Sequence, residues 1–264
     1  MKIAYLGPEG SYSHLVVKQF DRDAEGIPCP NFKEVALSAL SGACDACVLP
    51  IENSLQGGVL QNLDLLQELP LVAVKERLLR IRHRLIYKKG AALSDIKRIY
   101  SHEQAIGQCT RFLLDVVPHA EVVAVESTAK GVSMISLPTD AGIGGEHLIS
   151  EGLEAYEGEI ADEPNNYTHF LLLIPSEKDV PRHTERIFMA AVCPNRPGSL
   201  LGLLQIIGDA GLNMTKIESR PIKQTPGEYS FFIEFEGDYQ SEWVQNTLRQ
   251  MEGYCRRLKV IGAY

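Results

Sequence analysis

Short apolar runs alternate with helix-period segments along the first 175 residues, and this alternation limits the possible folds more than any other feature of the chain. Runs at 2–6, 46–51, 71–75, 84–87, 98–100, 121–125, 141–143 and 169–174 read as strands. Segments at 13–20, 33–41, 58–67, 103–114, 128–136 and 146–151 read as helices. A strand followed by a crossover helix comes back parallel, so the pattern predicts an α/β fold with mostly parallel sheets. At 175–185 the sequence turns polar and carries two prolines, the composition of a linker. Beyond it the order changes to strand 186–192, helix 198–210, strand 213–222, a turn at 224–227, strand 229–235, helix 241–251 and strand 258–261. This β-α-β-β-α-β order is the ferredoxin-like signature. Leu200, Leu201, Leu203, Leu204 and Ile207 share one broad face of its first helix, as for a helix packed on a sheet. The expected organisation is a first domain over 1–176, a linker over 177–185 and a second domain over 186–264.

Composition narrows the function. A formal charge of −8 without a Lys/Arg run argues against nucleic acid or a membrane surface as a partner. Apolar and charged fractions of 45% and 23% exclude wholesale disorder. Apolar stretches such as 170–175 fall far short of the ~18 residues that a membrane span requires. The opening MKIAYLGPEG lacks the basic and apolar regions of a signal peptide, so a cytoplasmic location is expected. The six cysteines are scattered, which suits reduced core thiols. Cys44 and Cys47 have the spacing of a metal or redox pair. No second pair and no His-x-x-x-His follows, so they too read as buried thiols and no metal is expected.

Chemistry is sought where strands end and helices begin, because free N–H groups there present partial positive charge to an anion. Five junctions carry small polar residues. Gly7-Pro8-Glu9-Gly10-Ser11-Tyr12-Ser13-His14 follows the first strand and is neither a nucleotide P-loop nor G-x-G-x-x-G. Pro50-Ile51-Glu52-Asn53-Ser54 precedes Gly57-Gly58, and Ser101-His102-Glu103-Gln104 enters a helix with Gln108 one turn along. Glu126-Ser127-Thr128-Ala129-Lys130 and Gly142-Ile143-Gly144-Gly145 complete the set. Each alone reads equally as an N-cap, a turn or a close-packing glycine. Together they point to an anion-binding cleft between two lobes. A sixth segment, from Asp162 to Phe170, offers the Thr168 hydroxyl, either as a polar crossover at the cleft mouth or as a plain surface loop.

These motifs, in this order, resemble those of the prephenate dehydratase family with a C-terminal ACT regulatory domain, and the resemblance covers nearly the whole chain. The opening loop through Ser13 resembles G-P-x-G-[TS]-[FY]-[ST], and residues Pro50 to Ser54 match P-I-E-N-S. Ser101-His102-Glu103-Gln104-Ala105 with Gln108 resembles S-H-x-Q-A-x-x-Q, and Ser127-Thr128-Ala129 matches S-T-A. Asn166-Tyr167-Thr168-His169-Phe170 stands where the family has N-x-T-R-F. In the second domain, Asn195 to Leu200 resembles N-x-P-G-A-L, and Glu218-Ser219-Arg220-Pro221 matches E-S-R-P. The chain departs from the family at three places. His169 replaces an arginine, Glu151-Gly152-Leu153 stands for Y-G-L, and Gly198-Ser199-Leu200-Leu201 for G-A-L-V. Were that arginine a carboxylate ligand, His169 would make substrate affinity pH-dependent.

The resemblance implies a bilobed, periplasmic-binding-protein-like catalytic domain and a ferredoxin-like ACT domain. It implies a carbon–oxygen lyase that converts prephenate to phenylpyruvate, carbon dioxide and water without metal or organic cofactor. Thr168 would assist the leaving hydroxyl, with Asn53, Ser101 and Gln108 as its polar partners. Ser11, Ser13, Ser127 and Thr128 would meet the two carboxylates, and Ser54, Asn166 and Phe170 would complete the substrate site. Glu52 falls in that set with an orienting or structural role, since another carboxylate repels a dianion. His14, His83 and His147 read as helix-end or surface residues, and His102 as an orienting one. L-Phenylalanine would bind between two ACT domains against Asn195, Gly198, Ser199, Leu200, Glu218, Ser219, Arg220 and Pro221, which requires a homodimer or homotetramer. Competing readings are a prephenate decarboxylase, an arogenate-using variant and a non-catalytic amino-acid sensor.

Overall fold

Two sheets organise the chain, and the backbone crosses between them twice. The computed structural model describes residues 1–176, 185–222, 225 and 227–264. The first lobe holds strands β1 (Lys2–Leu6), β2 (Glu25–Cys29), β3 (Ala46–Asn53), β4 (Gly57–Gly58) and β5 (Leu71–Arg80). Its helices are α1 (Tyr12–Phe20), α2 (Phe32–Leu40) and α3 (Leu60–Glu68). The second lobe holds β6 (Arg84–Lys88), β7 (Arg98–Ser101), β8 (Glu121–Ala124), β9 (Asp140–Gly144) and β10 (Leu153–Ala155), with α4 (Glu103–Gly107), α5 (Thr110–Val116) and α6 (Thr128–Ser133). Strand β11 (Tyr167–Pro175) then returns to the first lobe. The C-terminal unit runs β12 (Arg186–Val192), α7 (Ser199–Asp209), β13 (Met214–Pro221), β14 (Tyr229–Glu236), α8 (Glu242–Tyr254) and β15 (Arg257–Ala263), which is a β-α-β-β-α-β order.

Both sheets are mixed, and the reason is topological. The strands β2-β1-β3 and β8-β7-β9 are parallel, as crossover connections require. Strands β6, β10 and β11 bring the chain into or out of a lobe without such a crossover, and each pairs antiparallel. Strand β2 carried no sequence signal because Gly26 and Pro28 dilute it, and it lies at a sheet edge where a proline is tolerated. The helix expected over 103–114 is two helices, α4 and α5, that break at Gln108 and Cys109. The one expected over 146–151 is a short 3-10 turn, Glu146–Leu148. The linker expected over 177–185 lies, apart from Glu185, outside the described residues, as do Gln224 and Pro226 of the expected turn.

The C-terminal unit is joined to the first lobe edge to edge, making one ten-stranded sheet in the order β13-β14-β12-β15-β5-β11-β3-β1-β2, with β4 paired to β3. One buried cluster accordingly runs from Val35, Leu49 and Leu63 through Leu171 to Phe188, Phe232 and Ile261. Helices α7 and α8 cover the other face of the C-terminal strands over Ile187, Met189, Ile233, Phe235 and Met251. Polar ties reinforce the joint. Lys259 Nζ donates to Leu66 O and Leu69 O, each at 2.5 Å, where α3 ends and its carbonyls lack helical partners. Burial, with Arg257 nearby, pushes the Lys259 ammonium down to about 8. Arg220 grips Asp64 through two bonds of 3.0 and 2.8 Å.

At the joint, Gly262 of β15 pairs with Ala73 of β5, and a Cβ on Gly262 would stand 2.6 Å from both the Cβ and the carbonyl oxygen of Ala73. Gly262→Ala is therefore expected to cost ~1–3 kcal/mol by overpacking, lowering Tm by several degrees in thermal unfolding. Gly208→Ala in α7, where a Cβ meets nothing within 4 Å, serves as the control and leaves Tm unchanged or higher.

Candidate active site

The strand ends of both lobes face each other across a cleft of about 260 Å³. The first lobe contributes Gly7, Ser11, Tyr12 and Ser13 after β1, Asn53 at the end of β3, and Thr168 and Phe170 on β11. The second contributes Gln104 and Gln108 after β7, and Glu126, Ser127 and Thr128 after β8. Ile81, His83 and Asn166 come from the two crossing segments. Those segments are tied to each other by Ile81 N donating to Asn166 O at 2.8 Å.

A chain of side-chain amides lines the wall at this crossing. Asn53 Nδ2 donates to Asn166 Oδ1 at 2.7 Å, and Asn166 Nδ2 donates to Gln108 Oε1 at 3.0 Å. His83 Nε2 lies 2.8 Å from the same Gln108 oxygen. Since that oxygen only accepts, His83 carries its proton on Nε2 and its Nδ1 is an acceptor, buried and unbonded. Burial lowers the His83 pKa, which keeps the ring neutral. At the other end, Asn53 Nδ2 also donates to Thr168 Oγ1 at 3.0 Å and to Tyr167 O at 3.1 Å. The Asn53 oxygen accepts from Leu55 N and Gln56 N, which fixes the amide from both sides.

The hydroxyls divide into two kinds. Ser11 Oγ donates to Leu6 O and caps α1 by accepting from His14 N, while Ser127 Oγ caps α6 by accepting from Lys130 N. Ser13 and Thr128 also line the cleft, and their hydroxyls hold no hydrogen bond among the described residues. Three residues singled out from sequence sit behind the wall instead. Ser101 Oγ, fully buried, donates to Ile143 O at 2.7 Å. Ser54 Oγ bridges Asn165 O and Tyr167 N, and Glu52 turns away to Lys216 Nζ at 2.5 Å. Of the histidines, His83, expected at a helix end or on the surface, is instead buried between β5 and β6, because its role comes from meeting Gln108, a long-range contact with no local signal. His147 donates to Gly10 O at 2.9 Å, closing one lobe onto the other.

His169 is absent from the cleft wall. Thr168 and Phe170 line the cleft, and strand alternation turns the intervening His169 to the opposite face, with Nε2 2.7 Å from Glu76 Oε2. That placement removes it as a ligand for a bound anion.

A second hollow, about 380 Å³, lies on the helix side of the C-terminal unit against Asn195, Gly198, Ser199, Leu200, Tyr229 and Phe231. The Ser199 hydroxyl there is buried without a partner. Strand alternation splits the segment 218–221. Ser219 pairs with Phe231 and Pro221 with Tyr229, but neither is among the residues that line the hollow, and Pro221 borders a groove with Asp64 and Gln67 instead. Arg220, and Glu218 with it, face the first lobe, where Arg220 holds Asp64.

A family model described as "Prephenate dehydratase" matches residues 3–178, and one described as "ACT domain" matches residues 190–241. The chain is 35% identical over 269 residues to a bifunctional chorismate mutase/prephenate dehydratase of Neisseria gonorrhoeae, spanning 100% of this chain and 74% of that one. It is 31% identical over 278 residues to the chloroplastic arogenate dehydratase/prephenate dehydratase 2 of Arabidopsis thaliana, spanning 100% and 72%. Among solved structures, the prephenate dehydratase of Arthrobacter aurescens in complex with L-Phe superposes with a TM-score of 0.89 at 29% identity, covering 100% of this chain and 90% of that one.

The placement of Ser101 yields a direct test. Ser101→Ala leaves the Ile143 carbonyl buried and unpaired, so unfolding in denaturant is expected to show a loss of ~1–3 kcal/mol.

Proposed function

The chain belongs to the prephenate dehydratase family, and on that premise we propose how its cleft carries out the reaction. It is a carbon–oxygen lyase that converts prephenate to phenylpyruvate, carbon dioxide and water, and L-phenylalanine regulates it. Loss of the ring carboxylate and the C4 hydroxyl aromatises the ring, so the driving force is large and the main task is to help hydroxide depart. One observation carries the assignment of that task to Thr168. The Thr168 oxygen accepts from Asn53, which leaves its own proton free, and no acceptor among the described residues takes it. A threonine hydroxyl is too weak an acid to give up its proton outright at neutral pH. Thr168 therefore acts as a positioned donor to the charge that develops on the departing oxygen. Asn166 and Gln108 hold the Asn53 amide in the orientation that makes this possible.

The two substrate carboxylates fit the free hydroxyls of Ser13 and Thr128 and the first-turn N–H groups beside the Ser11 and Ser127 caps, those of His14 and Lys130 being taken by the caps themselves. Phe170 supplies an apolar wall for the ring. L-Phenylalanine fits the second hollow, where the unpartnered Ser199 hydroxyl offers a polar contact and Phe231 an aromatic one. Leu201 and Tyr229 at its rim are 67% and 47% exposed, an apolar border that a second copy of the chain would cover. A homodimer or homotetramer in the cytoplasm follows from this reading, with the catalytic domain over 1–176 and the regulatory domain over 186–264. A second substrate reading is favoured by the dual name of the Arabidopsis relative: arogenate differs from prephenate by an amino group in place of the keto oxygen.

The test is phenylpyruvate formation from prephenate at neutral pH, and phenylalanine formation from arogenate, each with and without added L-phenylalanine. Thr168→Ala is expected to lower kcat by ~10²–10³ with the far-UV spectrum intact; near-normal turnover overturns its role. Ser199→Ala is expected to keep kcat and raise the L-phenylalanine concentration needed for half-inhibition. An unchanged response removes that residue from the effector site.

A further inference from the structure

Thr168 and His169 are consecutive on β11 and face opposite sides of the sheet, one toward the cleft and one toward the C-terminal unit. His169 pairs with Leu78 across the β11–β5 ladder, which brings Glu76, two residues along on the same face, within reach. His169 Nε2 lies 2.7 Å from Glu76 Oε2. The Arg186 guanidinium of β12 is 3.7 Å from Glu76 Oε1 and 3.7 Å from Glu234 Oε1 of β14. Glu234 is 4% exposed and is held in turn by Thr215 Oγ1 at 2.7 Å and by the Tyr264 hydroxyl at 3.1 Å. Ligand atoms of Glu76, His169 and Glu234 all fall within 4.8 Å of one another. Arg186, placed between the two carboxylates, already supplies a compensating charge, which favours an ion relay over a metal centre.

Both ends of this relay meet a functional surface. Glu234 lies on the same strand as Phe231, three residues earlier, which lines the proposed effector hollow from the other face. At the far end, β11 has a register shift against β3 between His169 and Phe170, directly beside Thr168. The extra residue there is Ile51 of β3, and Thr168 precedes His169 directly on β11, so how His169 is held bears on the stretch of strand that carries the Thr168 hydroxyl.

We propose that His169 is a positioning residue for the dehydration, and that the Glu234–Arg186–Glu76–His169 relay carries the state of the ACT domain to Thr168. This rests on the assignment of Thr168 and of the effector hollow made above. The relay links β14 to β11 through side chains at ion-pair distance, 2.7 Å at His169 and 3.7 Å on either side of Arg186, so a shift of β14 on effector binding is passed to β11. A histidine in place of the family arginine makes one contact to Glu76 where an arginine makes two.

The experiment measures kcat and KM for prephenate, the half-inhibiting concentration of L-phenylalanine and Tm for six variants of the full chain. His169→Ala is expected to lower kcat tenfold or more with KM within about twofold, and His169→Arg to restore it. Glu76→Gln keeps the test open should His169→Ala not fold, and is expected to lower kcat in the same direction. Glu234→Gln and Tyr264→Phe are expected to keep kcat and KM but to raise the half-inhibiting concentration about fivefold or more. Lower Tm with kcat, KM and inhibition all retained makes the network a structural tie and overturns the proposal. Wild-type inhibition in both Glu234→Gln and Tyr264→Phe overturns it as well. Thr168→Ala separates the two readings: normal turnover there defeats the donor assignment, whereas the inhibition data on Glu234 and Tyr264 judge the relay regardless.

Discussion

Strand β11 is the constraint on which the rest of the structure depends. It is paired on both edges, to β3 and to β5, antiparallel in each case. Those two ladders fix its register, because a one-residue slip would exchange the cleft face for the sheet's other face. Thr168 and Phe170 are thereby committed to the cleft and His169 to the domain joint. The same double pairing sets Asn53 opposite Thr168 in the β3 ladder, which is how an amide and a hydroxyl from distant parts of the chain meet at 3.0 Å.

The electrostatics of the cleft suit a substrate that must shed charge. Among the described residues its walls carry no lysine or arginine; the polar groups are hydroxyls, amides, His83, His102 and Glu126. A bidentate guanidinium would hold the ring carboxylate most tightly in its ionised ground state, and that stabilisation is lost as carbon dioxide forms. Neutral donors can orient a dianion without deepening that ground state. The cations of this region are placed outside the cleft, at the joint with the C-terminal unit, where Lys216, Arg220, Arg186 and Lys259 each meet a carboxylate or a carbonyl of their surroundings.

That joint gives the C-terminal unit a mechanical connection to the lobe that carries β11. Its strands extend the catalytic lobe's own sheet, and they share its buried cluster through Phe188, Phe232 and Ile261. One face of β14 looks onto the second hollow and the other onto the catalytic lobe. Within the segment Glu218 to Pro221, Arg220 holds Asp64 of the first lobe, while Ser219 takes the other face of the strand.

The sequence by itself determined most element types, the change from the α/β pattern to β-α-β-β-α-β, and four of the loops that form the cleft, the fifth, Gly142 to Gly145, not being among its lining residues. These are local properties: periodicity, capping residues and short motifs whose neighbours along the chain are also neighbours in space. It was silent on β2, where glycine and proline mask an edge strand, and on the split of one expected helix into α4 and α5. Only the tertiary structure decided which face each polar residue presents. Ser101 and Glu52 stand in the matched motifs as firmly as Asn53 does, yet one supports a strand and the other binds Lys216, 164 residues away. His83 and Asn166 acquire their roles from Gln108, and Asn166 meets Asn53 across 113 residues. A side chain's type is written at its own position, but its partner is set by pairing and docking between distant segments, which no local spacing records.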